Sequence, residues 1–169
     1  MSFEVIQWHF YIGYLVLGLM LLRCFWGFVG PAPVRYRSLV SSPAQTLQYL
    51  KTIASRTASG SPGHNPLGAL SVIAMLLVIT AQAVIGLFAE SEDFFEYGPL
   101  AEFVSQATIN QMTSWHRFNA DIILILVILH VSAILFYLLW KKENLITPMI
   151  NGWKWVKSRN SPHDPDQVD

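Results

Sequence analysis

Three long apolar stretches constrain this sequence more than any other feature. They run approximately over residues 6–29, 67–88 and 113–140. A helix that rises about 1.5 Å per residue needs about 20 residues to cross the hydrocarbon core of a bilayer, and each stretch is that long. Because a helix satisfies its own backbone hydrogen bonds in lipid, each stretch is expected to span the membrane. The predicted fold class is therefore all-α, a transmembrane helical bundle with three spans.

The composition agrees with a surface that mostly faces membrane lipid. The chain of 169 residues is 53% hydrophobic and 13% charged, whereas soluble domains carry about 25% charged residues. The formal net charge is zero and the basic residues are scattered, so nucleic acid is not an expected partner. Cys24 is the single cysteine and no CxxCH motif is present, which excludes an internal disulfide and a covalently attached c-type haem.

The charges of the connecting segments predict how the chain is oriented. Residues 31–65 carry basic residues and no acidic residue, and basic residues return after the third stretch. Residues 90–112 carry acidic residues and no basic residue. Because positive residues mark the cytoplasmic side, we expect the N-terminus outside and the C-terminus in the cytoplasm, an orientation possible for a multi-pass protein of a bacterial inner membrane. Residues 1–158 then form the transmembrane domain, with 31–65 as a cytoplasmic loop, and residues 159–169 form a polar tail.

Local sequence signals predict where the helices begin. Asn65, directly before Pro66, is expected to cap the second span, and Ser114 is expected to cap the third. Ser42 and the proline after it predict a short helix that runs to residue 54 of the loop. The leucines of this segment have helical spacing, so the helix either lies in the lipid interface or is an ordinary loop helix.

Two histidines on the third span are the most informative residues for function. His116 and His130 are 14 residues apart, which corresponds to about 21 Å along a helix and to nearly four turns. They are therefore expected to project from one face at two depths, too far apart to bind one metal ion. Two haems stacked through the bilayer would each use one of them as an axial ligand. An ordinary hydrogen-bonding role is the alternative for each histidine.

The first span carries matching residues. His9 lies near the outer end of its span, at the depth predicted for His116, so we expect these two imidazoles to hold one haem on the outer side. Arg23 follows His9 by 14 residues and is therefore expected at about the depth of His130. An arginine in a membrane needs an anion, and a haem propionate or Asp121 would serve. Snorkelling of Arg23 towards the interface is the alternative.

The segments around these histidines resemble bacterial cytochrome b561 proteins, whose superfamily includes the b-type cytochrome subunits of nickel–iron hydrogenases. Residues 8–31 resemble the second helix of that family, and the string GHNPLGA at 63–69 resembles the start of its third helix. Residues 116–145 resemble the fourth helix and its exit. The resemblance covers nearly the whole chain.

The resemblance implies a four-helix electron carrier that contains haem b, with one or two haems per chain. It implies that His9 and His116 are ligands of the outer haem and that His130 is one ligand of the inner haem. The family takes the other inner ligand from an additional first helix, which this sequence lacks. The partner of His130 is then a missing helix, His64 at the cytoplasmic boundary, or a helix of another chain, unless only one haem is kept.

The function that these residues predict is transmembrane electron transfer by bis-histidine b-type haem in a respiratory or redox chain. Two axial imidazoles leave no open position on the iron, which favours electron transfer over oxygen chemistry. The expected partner is a redox protein or a quinone, and a homodimer or a hydrogenase-like complex is an open alternative. A quinol-linked oxidoreductase with Asp121 as proton acceptor is one rival function. A non-redox membrane scaffold with structural histidines is the other.

Overall fold

Three long helices form the frame of the structure. The computed structural model describes residues 3–31, 34–53, 65–91, 96–142, 144 and 147. In this part of the chain three helices are long and apolar enough to cross a membrane, which confirms the predicted all-α fold with three spans. In chain order the helices are α1 (Phe3–Val29), α2 (Tyr36–Leu39), α3 (Pro43–Thr52), α4 (Pro66–Gly86) and α5 (Gln106–Leu139). His64 and the predicted tail over 159–169 lie outside the described residues.

The starts of the long helices follow their capping residues. The Asn65 side-chain oxygen accepts a hydrogen bond of 2.7 Å from the Gly68 N–H, which confirms the predicted cap of α4. The predicted cap of the third span at Ser114 is wrong, because α5 begins at Gln106 and is capped by Ser105. The first turns of α5 are polar, so hydropathy locates only the part of this helix that is apolar. A helix continues beyond the hydrocarbon wherever its backbone bonds and cap allow.

The predicted loop helix is present as α3, and it is fastened to α5. Ser42 and Gln45 form a reciprocal capping box, with two hydrogen bonds of 3.2 Å between side chain and backbone N–H. The Tyr49 hydroxyl hydrogen-bonds the Tyr137 hydroxyl of α5. The Lys141 ammonium lies 5.6 Å from the Tyr49 ring centre and 5.1 Å from the Tyr137 ring centre. Cation–π attraction and the hydroxyl pair therefore hold α3 against the end of α5.

Helix α4 is the centre of the bundle. It packs against α5 and α1 and also against α2 and α3, whereas α1 and α5 share no extensive backbone interface. His116, near the start of α5, lies beside Gly86 at the end of α4, while His130 contacts Ser71 near the start of α4. Helices α4 and α5 are therefore antiparallel. The contact between His9 and His116 puts the N-terminal ends of α1 and α5 at the same end of the bundle.

Most side chains of α1 and α5 are exposed, whereas most of those of α4 are half-buried between its neighbours. Among the described residues, the hydrophobic ones that are buried are few and scattered over the elements: Ile6, Leu39, Ala69, Ala101, Ile109 and Tyr137. The exposed surface is built largely from leucine, isoleucine, valine and aromatic side chains. Such a surface is unfavourable in water and is the surface that lipid covers around a membrane span.

The acidic segment between α4 and α5 folds onto the end of the bundle. Its short strands β1 (Glu90–Ser91) and β2 (Glu96–Tyr97) pair antiparallel, and a 3₁₀-helix follows at Ala101–Phe103. The Glu90 N–H donates a 2.9 Å hydrogen bond to the Thr113 hydroxyl of α5. Gly98 is buried against the carbonyls at the end of α4, where a Cβ would overlap backbone atoms. This close approach holds the segment next to the C-terminal end of α4 and the N-terminal end of α5.

Gly27 allows helix α2 to approach α1. A Cβ at Gly27 would overlap the ring of Tyr36, which also packs edge-to-face on Phe28 with 5.2 Å between ring centres. By contrast, a Cβ at Gly18 of the same helix would meet no atom within 4 Å. Gly18 and Gly27 therefore differ in what surrounds them, and of these two only Gly27 makes room for another element.

We predict that Gly27→Ala destabilises the protein, because the added methyl group forces the Tyr36 ring away from α1. Overpacking of this kind typically costs about 1–3 kcal/mol. The expected result is a lower Tm in detergent solution, whereas the control Gly18→Ala keeps or raises the Tm. Adding Tyr36→Ala to Gly27→Ala removes the clash, so the double variant should lose little more than Tyr36→Ala alone. Equal Tm values for the two glycine variants would contradict this account of the packing.

Candidate haem-binding site

The two histidines at the N-terminal ends of α1 and α5 face each other. The ring centres of His9 and His116 are 6.0 Å apart and the ring planes are inclined by 84°. A bond between a metal ion and an imidazole nitrogen is about 2 Å long, and the nitrogen is about 1 Å from the ring centre, so two imidazoles on opposite sides of one ion have centres about 6 Å apart. The observed separation fits that distance. Axial ligation by these residues stays a prediction.

A cavity of about 200 Å³ adjoins the two rings. Besides His9 and His116, its lining includes Gly13 of α1 and Gln82 and Gly86 of α4. Ligand pockets usually enclose about 300–1,000 Å³, so a group as large as haem would fill this cavity and extend beyond it. Since α1 and α5 do not close on each other, the space between these two helices gives the macrocycle room.

Two glycines shape this cavity. A Cβ at Gly13 would meet no atom within 4 Å, so the α1 side is open at that point. A Cβ at Gly86 would lie 2.9 Å from Cε1 of His116, so the missing side chain lets the imidazole lie close to α4. Sequence analysis does not single out Gly86. Its position four residues after Gln82, on the same face of an otherwise apolar span, is the signal that points to it.

A chain of polar side chains connects His116 to the α4 backbone. The amide nitrogen of Asn119 donates to the Gln82 side-chain oxygen over 2.8 Å and to the Val78 carbonyl over 3.0 Å. The Gln82 amide nitrogen lies 3.1 Å from Nε2 of His116. Gln82 is a site residue that sequence analysis misses, although a glutamine within an apolar span is unusual enough to mark it.

Two buried nitrogens lack a hydrogen-bond partner within the described ranges of the chain. They are Nδ1 of His116 and Nη1 of Arg23. An unsatisfied buried polar group costs about 1–3 kcal/mol, and more when it is charged. Both atoms belong to residues that sequence analysis assigns to haem. An imidazole nitrogen suits iron and a guanidinium nitrogen suits a propionate, so the residues present fit haem b.

Arg23 packs against an aromatic ring of the loop. Its guanidinium carbon lies 5.5 Å from the centre of the Tyr36 ring, a cation–π distance. A hydrogen bond with Cys24 raises the pKa of Tyr36, and burial raises it further, so the ring remains a neutral phenol. Asp121, the other predicted partner, is exposed on α5. No ion pair joins it to Arg23 in the part of the chain that the structure describes.

His130 faces α4 one level deeper than His116. Its Nδ1 lies 3.2 Å from the Ser71 hydroxyl. Both histidines of α5 therefore contact α4, which agrees with the 14-residue spacing that predicts a common face. No second imidazole approaches His130 among the residues described.

The chain is similar to known membrane cytochromes. The family model described as "Prokaryotic cytochrome b561" matches residues 1–152. The "Probable Ni/Fe-hydrogenase 1 B-type cytochrome subunit" of Escherichia coli strain K12 is 26% identical over 161 residues, covering 86% of this chain and 68% of that protein. The protein of the same description from Escherichia coli O157:H7 matches equally well. No solved structure matches the chain.

We predict that Gly13→Leu blocks the cavity without disturbing the fold, because the new side chain enters open space beside His9. The expected result is a protein that folds normally in detergent and retains much less haem than the wild type. Gly18→Leu is the matched control, since Gly18 also has open surroundings but does not line the cavity. Haem content per chain, measured by absorption against protein concentration, checks this. Equal haem contents in the two variants would argue against this cavity as the binding site.

Proposed function

This chain belongs to the prokaryotic cytochrome b561 family, and we propose that it transfers electrons across the membrane on haem b held between His9 and His116. As a member of that family it is a multi-pass membrane b-type cytochrome, and its cofactor is haem b. The observation that carries the finer proposal is the 6.0 Å separation of the two ring centres beside a cavity. It is supported by the buried Nδ1 of His116, which has no partner in the described part of the chain.

The residues that would hold haem favour electron transfer over reactions at the metal. When bound, haem supplies a one-electron couple between ferric and ferrous iron. Two imidazoles would fill both axial positions, which leaves no site for dioxygen or a substrate on the metal. The antiparallel pair of α4 and α5 fixes the height of His116, and the apolar exterior of the helices would face lipid around the site. This arrangement favours electron transfer in which no covalent bond of a substrate is made or broken.

A second haem at the level of His130 completes the proposed path through the bilayer. His130 lies 14 residues after His116 on α5, which places it about 21 Å further along the helix axis. Arg23 would hold a propionate of this haem with its unpartnered nitrogen. The described residues bring no second imidazole to His130, so its partner in this proposal comes from outside them. His64 and a helix that is not part of this sequence are the candidates.

The proposed surroundings are a bacterial inner membrane and a redox complex. The acidic segment at the end of the bundle supports an external position for the histidine pair, since basic segments mark the cytoplasmic side. The similar Escherichia coli proteins are described as cytochrome subunits of a hydrogenase, which supports a redox protein as the partner of this chain. Quinol oxidation is less well supported, because Asp121 is exposed and does not line the cavity between the histidines.

We predict that His9→Ala and His116→Ala each abolish the same low-spin haem, because either change removes one of two axial ligands. The expected result is a loss of the sharp b-type α band in the reduced spectrum, with less haem iron per chain. His130→Ala is the control, since it lies one level deeper and should leave this haem in place. Low-spin signals of wild-type intensity in both alanine variants would rule out the proposed ligand pair.

We predict that Arg23→Gln lowers the reduction potential of the haem at the level of His130. A cation beside haem disfavours the additional positive charge of ferric iron, so its removal makes the ferric state easier to form. Arg23→Lys keeps the charge and should shift the potential less. Arg37→Gln removes an exposed charge of α2 and serves as the control. A spectroelectrochemical titration that gives the same potential for Arg23→Gln and Arg37→Gln would remove Arg23 from the proposed site.

A further inference from the structure

The hydrogen bonds beside His116 have a defined direction. Asn119 is buried, and its amide nitrogen donates both to the Val78 carbonyl and to Oε1 of Gln82. Because Oε1 of Gln82 accepts from Asn119, the amide nitrogen of Gln82 is the end that faces the imidazole. The contact with the Val78 carbonyl ties Asn119 to the α4 backbone, so Asn119 acts as an anchor for Gln82.

This direction determines which nitrogen of His116 carries its proton. An amide nitrogen can only donate a hydrogen bond, so the Nε2 of His116 accepts with its lone pair. The proton of the neutral ring then lies on Nδ1, the buried nitrogen that has no partner within the described residues. The polar chain thus satisfies one nitrogen of the ring and leaves the other without a hydrogen bond.

An axial imidazole has a different requirement. It gives its lone pair to the metal through one nitrogen, while the other nitrogen carries the proton and needs an acceptor. Gln82 is the polar side chain that contacts the ring, and its Oε1 has two lone pairs. One lone pair already accepts from Asn119. Because Gln82 contacts Nε2, the metal would bind Nδ1 and the ring proton would lie on Nε2. The Gln82 side chain would then turn so that Oε1 accepts from both the Nε2–H and Asn119.

We propose that Gln82, anchored by Asn119, is the positioning residue of His116 when haem is bound. This inference rests on the proposed function, since it requires His116 to be an axial ligand. Gln82 accepts the hydrogen bond of the non-ligating ring N–H and thereby fixes the rotation of the imidazole plane. The same hydrogen bond makes the imidazole a stronger electron donor to the metal. A stronger donor stabilises ferric iron, so Gln82 lowers the reduction potential of this haem.

The test uses the haem-loaded protein and measures the reduction potential together with the largest g-value of the ferric low-spin EPR signal. Gln82→Leu removes the acceptor at nearly unchanged volume in an apolar span, so the potential should shift upwards and the g-value should change. Gln82→Glu keeps an acceptor at the same reach, so its g-value should stay close to that of the wild type. Thr80→Val, on the same helix but outside the cavity lining, should change neither quantity.

A double-mutant cycle separates anchoring from simple packing. Asn119→Leu frees Gln82 and should also raise the potential, though less than Gln82→Leu. Since Asn119 acts through Gln82, the double variant should shift the potential no further than Gln82→Leu alone. Additive shifts would mean that the two residues act separately and would overturn the inference, as would Gln82→Leu with wild-type potential and g-value. If Gln82→Leu does not bind haem, haem binding by Gln82→Glu supports the inference. If Gln82→Glu also does not bind haem, the inference is overturned.

The outcomes also distinguish this inference from the proposed function. If the low-spin haem is still bound in both the His9→Ala and the His116→Ala variants, the proposed function is wrong, and so is the role of Gln82. If both alanine variants lose this haem but Gln82→Leu has the reduction potential of the wild type, only the inference about Gln82 is wrong.

Discussion

The interior of this bundle is organised by the need to satisfy polar side chains where lipid offers no hydrogen bonds. Each polar group that faces hydrocarbon without a partner costs several kcal/mol. Two polar contacts of the spans lie between α4 and α5, where Gln82 contacts His116 and Ser71 contacts His130. One of these contacts lies near each end of α4, so together they set the register of the two helices. The central position of α4 and the two histidine levels follow from this interface.

A space between α1 and α5 is the second consequence of the packing. Both helices are held by α4, and across the space between them His9 and His116 approach each other at one end. A tightly packed three-helix bundle would have brought α1 and α5 into contact and left no room for a flat cofactor. Small residues at Gly13 and Gly86 keep the same region free of side chains. The architecture therefore places two imidazoles beside a cavity.

Much of the fold, and the central pair of the candidate site, can be predicted from the sequence. The three spans follow from hydropathy, and the 14-residue spacing of His116 and His130 predicts that both project from one face of α5. The start of α5 cannot be found in this way, because its first turns are polar and hydropathy registers only the apolar part. The role of α4 is also hidden, since helices that are hydrophobic all round show no face to a neighbour. Gln82 and Gly86 become site residues only through that packing.

The weak direct contact between α1 and α5 has a consequence for assembly of the protein. A cofactor bound by one histidine from each helix would join two elements that share little direct contact in the described part of the chain. Any ligand that binds the folded state alone adds to its stability by mass action. Folding and cofactor binding would then form one coupled equilibrium. In a cell that lacks haem, the chain would be less stable and more readily degraded by proteases. Supply of the prosthetic group would in this way set how much of the protein accumulates.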